Sequence, residues 1–426
     1  MHASLLTIGD ELLLGQVVDT NAAWIGAALN DHGIALVGKA TVGDSLAAIE
    51  RGLARAAAEA PVVLLTGGLG PTADDLTLEA LARHTGRDYV FREDTYERIR
   101  HIFEEVIRRP LLPSHRRQAF APDGAETLRN DQGTAPGIWL EHDGTVYVAL
   151  PGVPREMRHL VTERVVPRLL DRFPASPRRQ LTLHTAGWGE TQIEEAIRDV
   201  VAGLPPHVSV AYLPGLGSVR VRLNAAGEDA TALDAELDGL AARVESLLPP
   251  GLVFGRGDTD LVRHLHELLR ERGATVATAE SCTGGRLAHV LTEVAGASAV
   301  FPGGVVAYAN EVKESRLGVS AATLRAHGAV SEPCVIEMAR GARVAFGATY
   351  ALATSGIAGP GGGTPDKPVG TIWLAAAGPD GQVATRLLHR GRDRETNIAY
   401  AANAAVDLLR RMLVEGGEDE GLRMQA

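Results

Sequence analysis

Val62-Val63-Leu64-Leu65-Thr66-Gly67-Gly68-Leu69-Gly70-Pro71-Thr72-Ala73-Asp74-Asp75 is the stretch that decides the fold. Its aliphatic run reads as a strand buried on both faces, and the glycines after it as a turn into a helix, Leu76 to His84. Working outward, Ser4 to Ile8 and Ile34 to Val42 read as strands, with helices over Asn21 to His32 and Ser45 to Ala58. The order is βαβαβ, which predicts a mostly parallel sheet with helices on both faces. Thr145 to Leu150 adds a strand and Arg155 to Leu170 a helix.

Beyond this first α/β unit, expected over residues 1–172, Phe173-Pro174-Ala175-Ser176-Pro177-Arg178-Arg179 reads as a linker. Residues 180–250 then give strand, helix, strand, strand, helix, a small α+β unit of KH-like pattern. It has no GXXG in the expected turn, so no RNA binding is inferred. Pro249-Pro250-Gly251 punctuates again, and Asp258 or Thr259 is the expected cap of a helix over Asp260 to Arg272. A third unit, α/β again, is expected over 255–415, with a fraying tail at 416–426.

The composition limits the function. Of 426 residues, 45% are hydrophobic and 22% charged, an ordinary globular balance that excludes disorder as the main state. A net charge of −11 argues against binding nucleic acid by bulk charge. Apolar runs are far too short for a membrane span, which takes roughly 18 residues, and no secretory leader is visible at the start. The two cysteines, Cys282 and Cys334, make no zinc or disulfide pattern. A reducing, cytoplasmic setting is the expectation, and a homodimer the default assembly.

Two constellations carry chemistry. In the first, Gly67, Gly68, Gly70 and Thr72 follow a buried strand and precede a helix, so bare N–H groups and a helix start converge on a place suited to phosphate. Asp10, Asp74 and Asp75 add carboxylates at the same sheet edge, the ingredients for a divalent ion shared with substrate oxygens. Asp74 and Asp75 are also ordinary helix caps, and Asp10 an ordinary turn opener. Pro71 removes a donor, and the glycines follow the third strand, which weighs against a nicotinamide-dinucleotide fingerprint.

In the second, Ala279-Glu280-Ser281-Cys282-Thr283-Gly284-Gly285 places a hydroxyl and a thiol at a strand-to-helix turn. A helix start and free N–H groups are expected beside the nucleophile, ready for an oxyanion. No His–Asp pair completes a triad. Lys313, in Tyr308-Ala309-Asn310-Glu311-Val312-Lys313, is the candidate base, provided burial lowers its pKa from about 10.4 toward 7–8. Read alone, Ser281 is equally an N-cap and Lys313 a solvated surface lysine. The glycine-rich run Gly356 to Val369 can present N–H groups to a phosphate, with Arg392 or Arg394 as counter-charge.

These motifs, together with Ile8-Gly9-Asp10-Glu11-Leu12, Asn130-x-x-Gly133-Thr134-Ala135-Pro136-Gly137 and Pro151-Gly152-Val153-Pro154-x-Glu156, resemble the CinA family over the whole chain. The resemblance implies a MoaB/MogA-like, molybdopterin-binding-type domain at the N-terminus. There, Gly67, Gly68, Gly70, Thr72 and Asp75 would bind a nucleotide, and Asp10, Asp74 and Asp75 a divalent metal such as Mg²⁺, for cleavage of ADP-ribose. The C-terminal motifs, Thr354-Ser355-Gly356-Ile357-Ala358-Gly359-Pro360-Gly361-Gly362 included, resemble the nicotinamide mononucleotide deamidase called PncC. That likeness implies Ser281 as nucleophile, Lys313 as base, Tyr308 assisting, and no cofactor. Thr283, Gly284, Gly285, Asn310, Thr354, Gly356, Gly359, Gly361 and Arg392 would line the substrate. The contrasting reading is a non-catalytic nucleotide- or molybdopterin-binding regulator linked to competence or DNA damage.

Overall fold

The aliphatic run forms a strand, Val62–Thr66, inside a six-stranded sheet. The computed structural model describes residues 1–173 and 177–414, so the tail expected at 416–426 lies outside the described residues. The chain divides into two compact units, residues 1–179 together with 226–233, and the remainder.

In the first unit the sheet runs Ala35–Val42, His2–Ile8, Val62–Thr66, Thr145–Leu150, Gly137–His142, Glu126–Leu128. The first four strands are parallel and the last two antiparallel. Successive residues of Val62–Thr66 point to opposite faces, because side chains alternate along a strand. Val62 and Leu64 join Ile25, Leu29, Met157 and Leu160 in one core cluster. Val63 and Leu65 join Ile49, Leu53, Leu78 and Leu81 in another. Both clusters exclude water, which is why the strand shows no polar alternation. The antiparallel additions were not legible in the sequence, since each is a short run beside turn residues.

In the second unit, a four-stranded sheet runs Val208–Pro214, Ser218–Ala226, Arg178–Ala186, Val253–Arg256. Its last strand lies beyond the 180–250 stretch read from sequence. A five-stranded sheet follows, ordered Gly303–Val306, Val276–Glu280, Tyr350–Gly356, Thr371–Ala377, Val383–His389. Its first three strands are parallel, and the other two pair antiparallel. The helix Leu261–Glu271 is capped by Asp260, whose carboxylate accepts from Val262 N and Arg263 N, rather than by Asp258 or Thr259. The helix Arg394–Val414 covers one face of this sheet. Its buried Asp407 pairs with Arg410 and Arg411, whose guanidiniums donate to Gly251 O and Ala186 O of the four-stranded part.

Candidate active site

Each larger sheet opens a crevice at one predictable place. In the five-stranded sheet, Val276–Glu280 leads to its neighbour on one side, Gly303–Val306, and Tyr350–Gly356 leads to Thr371–Ala377 on the other. The carboxyl ends of the two adjacent parallel strands therefore part, which is where α/β sheets hold ligands. Ser281 stands there, its N–H bonded to Thr354 O at 2.9 Å.

Lys313 reaches Ser281 from the helix Asn310–Leu317. Its Nζ lies 3.1 Å from Ser281 Oγ, 2.8 Å from Ala307 O and 3.1 Å from Tyr308 O. Lys313 is 1% exposed and Ser281 9%, so the surface-lysine alternative does not describe this residue. Burial pushes the Lys313 ammonium below the usual lysine range, against weaker opposing pulls from Cys334, Cys282 and Glu311. A neutral amine has two protons and one lone pair. With both carbonyls taking protons, the lone pair faces the Ser281 hydroxyl. Cys282, beside it, is buried, and its thiol is pushed up to about 12. It stays protonated and unreactive near neutrality.

The helix start next to Ser281 is not free. Glu280, 1% exposed, turns its carboxylate onto it, accepting from Gly285 N at 3.0 Å, Leu287 N at 2.9 Å and Ala288 N at 2.8 Å. Thr283 Oγ1 donates to the same carboxylate and sits 2.7 Å from Thr354 Oγ1. The anion expected from outside is supplied from within, by a residue the sequence reading quoted but gave no role. The signal was the glutamate ending a strand three residues before a Thr-Gly-Gly turn. Gly284 and Gly285 hold positive φ of 60° and 103°, conformations that other residues adopt only with strain.

Other residues expected here are distributed unevenly. Tyr308 meets Lys313 through its backbone oxygen, while its 61%-exposed side chain takes a hydrogen bond from Arg394. Arg394 also donates to Gly359 O at 2.8 Å, tying the glycine-rich loop to Tyr308. Arg392 is exposed and held through its backbone, so Arg394 is the guanidinium that reaches this group. Gly356 has no room for a side chain, since a Cβ would lie 2.6 Å from Ile372 Cα. Asn310 and Gly361 are exposed.

The first unit repeats the device. Its sheet order parts the ends of His2–Ile8 and Val62–Thr66, and a cleft of about 560 Å³ lies there. Gly67, Gly68, Gly70, Asp74 and Asp75 all line it. Gly67, at φ 105°, lies so close to the first strand that a Cβ would sit 2.2 Å from Ile8 O. Asp75 is no helix cap, for the helix Thr77–His84 begins after Leu76. Its carboxylate folds back on its own loop, accepting from Gly70 N and Thr72 N at 2.7 Å and from the Thr72 hydroxyl.

Asp10 and Asp44 bond reciprocally through backbone N–H and carboxylate. Burial raises the Asp44 carboxyl, its bond from Asp10 N–H opposes this, and the charges of Asp10, Glu11 and Asp74 raise it further. Glu156 lines the same cleft, bonded to the buried Asn130, and burial raises its carboxyl. Sequence reasoning gave Asp44 and Glu156 no role, because the contacts that place them span 26 residues or more. Among the described residues, no group of three His, Cys, Asp or Glu side chains is placed to hold a metal ion.

Fold and site together define a modular α/β protein, with a glycine-edged cleft at the first sheet and a buried serine–lysine pair at the five-stranded one. Residues 4–171 match the model of a probable molybdopterin binding domain, 180–255 the damage-inducible protein CinA KH domain, and 258–413 the CinA C-terminal domain. A CinA-like protein of Cytophaga hutchinsonii is 42% identical over 97% of this chain and 99% of its own. One of Salinibacter ruber is 45% identical over 97% and 100%. The crystal structure of a competence damage-inducible protein A from Klebsiella pneumoniae is 42% identical over 36% of this chain and 95% of that chain, with TM-score 0.35. The chain belongs to the CinA family.

Proposed function

We propose that the C-terminal domain is a serine–lysine amidohydrolase acting on the carboxamide of nicotinamide mononucleotide. The observation that carries this reading is the Lys313 amine, buried and 3.1 Å from Ser281 Oγ, with two carbonyls at its other proton positions. Neutral Lys313 takes the Ser281 proton as Oγ adds to the amide carbon, and the carbonyl electrons move to oxygen. Collapse breaks the C–N bond, and the Lys313 ammonium protonates the departing nitrogen, giving ammonia and an acyl-serine. Lys313 then takes a proton from water as the water oxygen adds to the ester carbon; collapse breaks the bond to Oγ, and the Lys313 ammonium returns its proton to that oxygen, giving nicotinate mononucleotide, Ser281 and the neutral amine. No metal takes part in this sequence. We assign the nucleotide phosphate to the glycine-rich loop and Arg394, whose guanidinium donates to Gly359 O of that loop.

The test is ammonia release from nicotinamide mononucleotide by wild type, Ser281→Ala and Lys313→Ala. Wild-type release that both substitutions abolish supports the reading; unaltered rates in either variant refute the dyad.

A second reading concerns the first domain, and the 560 Å³ glycine-edged cleft favours it. It binds a nucleotide such as ADP-ribose and cleaves its phosphate bond. Among the described residues no group of three His, Cys, Asp or Glu side chains makes a metal cradle, and no step is assigned to a metal here. Titrating ADP-ribose into the protein with and without Mg²⁺, and assaying cleavage alongside, tests binding and reaction separately.

A further inference from the structure

We propose that the turn after Val276–Glu280 divides its backbone donors between two anions. The permanent carboxylate of Glu280 takes those at the helix start, and the N–H groups of Cys282 and Thr283 receive the oxyanion formed when Ser281 attacks. This rests on the amidohydrolase reading and extends it to groups with no side-chain signature.

The argument is an accounting of consecutive N–H groups, each of which needs a partner when buried. Ser281 N donates to Thr354 O, Gly284 N to Ser281 O and Arg286 N to Thr283 O. Gly285, Leu287 and Ala288 donate to Glu280. Of the eight from Ser281 to Ala288, only Cys282 N and Thr283 N meet no acceptor on another residue among the described residues, and Cys282 N has only its own thiol beside it. Both residues are more than nine-tenths buried, at 6% and 3% exposure. They directly follow the nucleophile, where a donor is near the oxygen of a carbonyl bonded to Oγ. The nucleophile's own N–H is already spent on Thr354, and the helix start is filled.

Glu280 is then a positioning residue. Its four donors lock the turn, and Thr283 Oγ1 couples it to Thr354 on the opposite strand end. If its carboxylate were removed, the three freed N–H groups would compete for the oxyanion and the turn would lose its shape.

The experiment replaces single backbone N–H groups with ester oxygens in the full chain. Lactic acid at 282 is compared with Cys282→Ala, and α-hydroxyisovaleric acid at 283 with Thr283→Val, so each ester has an amide control with the same side chain. Each ester should lower kcat for nicotinamide mononucleotide by about 10²–10³-fold against its control, with KM within about twofold. Esters within about threefold of their controls overturn the proposal, as does a matching rise in KM with a lowered melting temperature, which marks a distorted turn. Glu280→Gln should lower kcat while leaving the Lys313 limb of the pH profile in place, and wild-type kcat in that variant refutes the positioning role. If wild type releases no ammonia, the underlying reading falls and this one with it. Active wild type with unaffected esters sinks this one alone.

Discussion

The two crevices occupy the same topological place in two different sheets, yet they handle charge in opposite ways. Around Ser281 the carboxylate in hydrogen-bond contact with the turn, Glu280, is consumed by four donors, and the nearby cation is a buried amine pushed toward neutrality. At the cleft of the first unit, burial first and then the charges of Asp10, Glu11 and Asp74 raise the Asp44 carboxyl toward protonation. Topology selects where a site opens; the balance of burial and charge selects what it can do. A dry dyad whose amine is pushed toward neutrality suits proton transfer, and an open acidic rim suits a ligand that brings a cation or carries one.

The largest expected effect tests the dry side. Lys313→Ala should lower kcat for amide hydrolysis by about 10²–10⁴-fold, the usual contribution of a general base. Lys313→Arg should be as inactive, because a guanidinium stays charged and has no lone pair to offer. Activity retained in the arginine variant would break the contrast. The pH profile sharpens it: the base form is the deprotonated amine, so kcat/KM should rise with pH and reach its plateau below the ordinary lysine range, since burial lowers the folded pKa. A limb at or above 10.5 would mean a solvated lysine.

The strands that build both crevices were largely legible. Val62–Thr66 stands out as an apolar run closed by glycine, and Val276–Glu280 as a short Val/Ala/Thr run a few residues ahead of Gly284 and Gly285, where the chain must turn sharply. What stayed illegible was the assignment of partners. Glu280 sits in the same motif as Ser281, yet nothing in one dimension says that its carboxylate fills the helix start. Arg392 and Arg394 are two residues apart in a charged run, and only the fold turns the second toward Gly359 and Tyr308. Asp75 looked like a cap or ligand because aspartates before helices usually are; its loop instead bends the backbone N–H groups of Gly70 and Thr72 onto it.

Two smaller effects test the acidic side. Asp75→Ala removes the acceptor of the half-buried Gly70 N and of the exposed Thr72 N, which turns to water, so the ligand-free protein should lose about 1 kcal/mol of stability in the first unit, read by thermal unfolding. A ligand carboxylate with no structural bonds would show no such loss. Asp44→Asn removes one charge from the rim and should tighten nucleotide binding in metal-free buffer by a few-fold, about 1 kcal/mol or less. Calorimetry that finds weaker binding instead would make Asp44 a direct contact.

The smallest expected effect is none at all, and it decides which atom attacks. The Cys282 thiol, pushed up to about 12, and Cys334, to about 11, are both buried. At pH 8, some four pH units below the Cys282 value, the thiolate fraction is about one in ten thousand. Iodoacetamide, which needs thiolate and access, should therefore leave ammonia release unchanged over the time that alkylates an ordinary exposed cysteine. If activity instead declines in step with carbamidomethylation of Cys282, followed by mass spectrometry, the reactive group at this turn is the thiol. Lys313, whose Nζ is bonded to Ser281 Oγ in this structure, would then serve a different nucleophile from the one it touches.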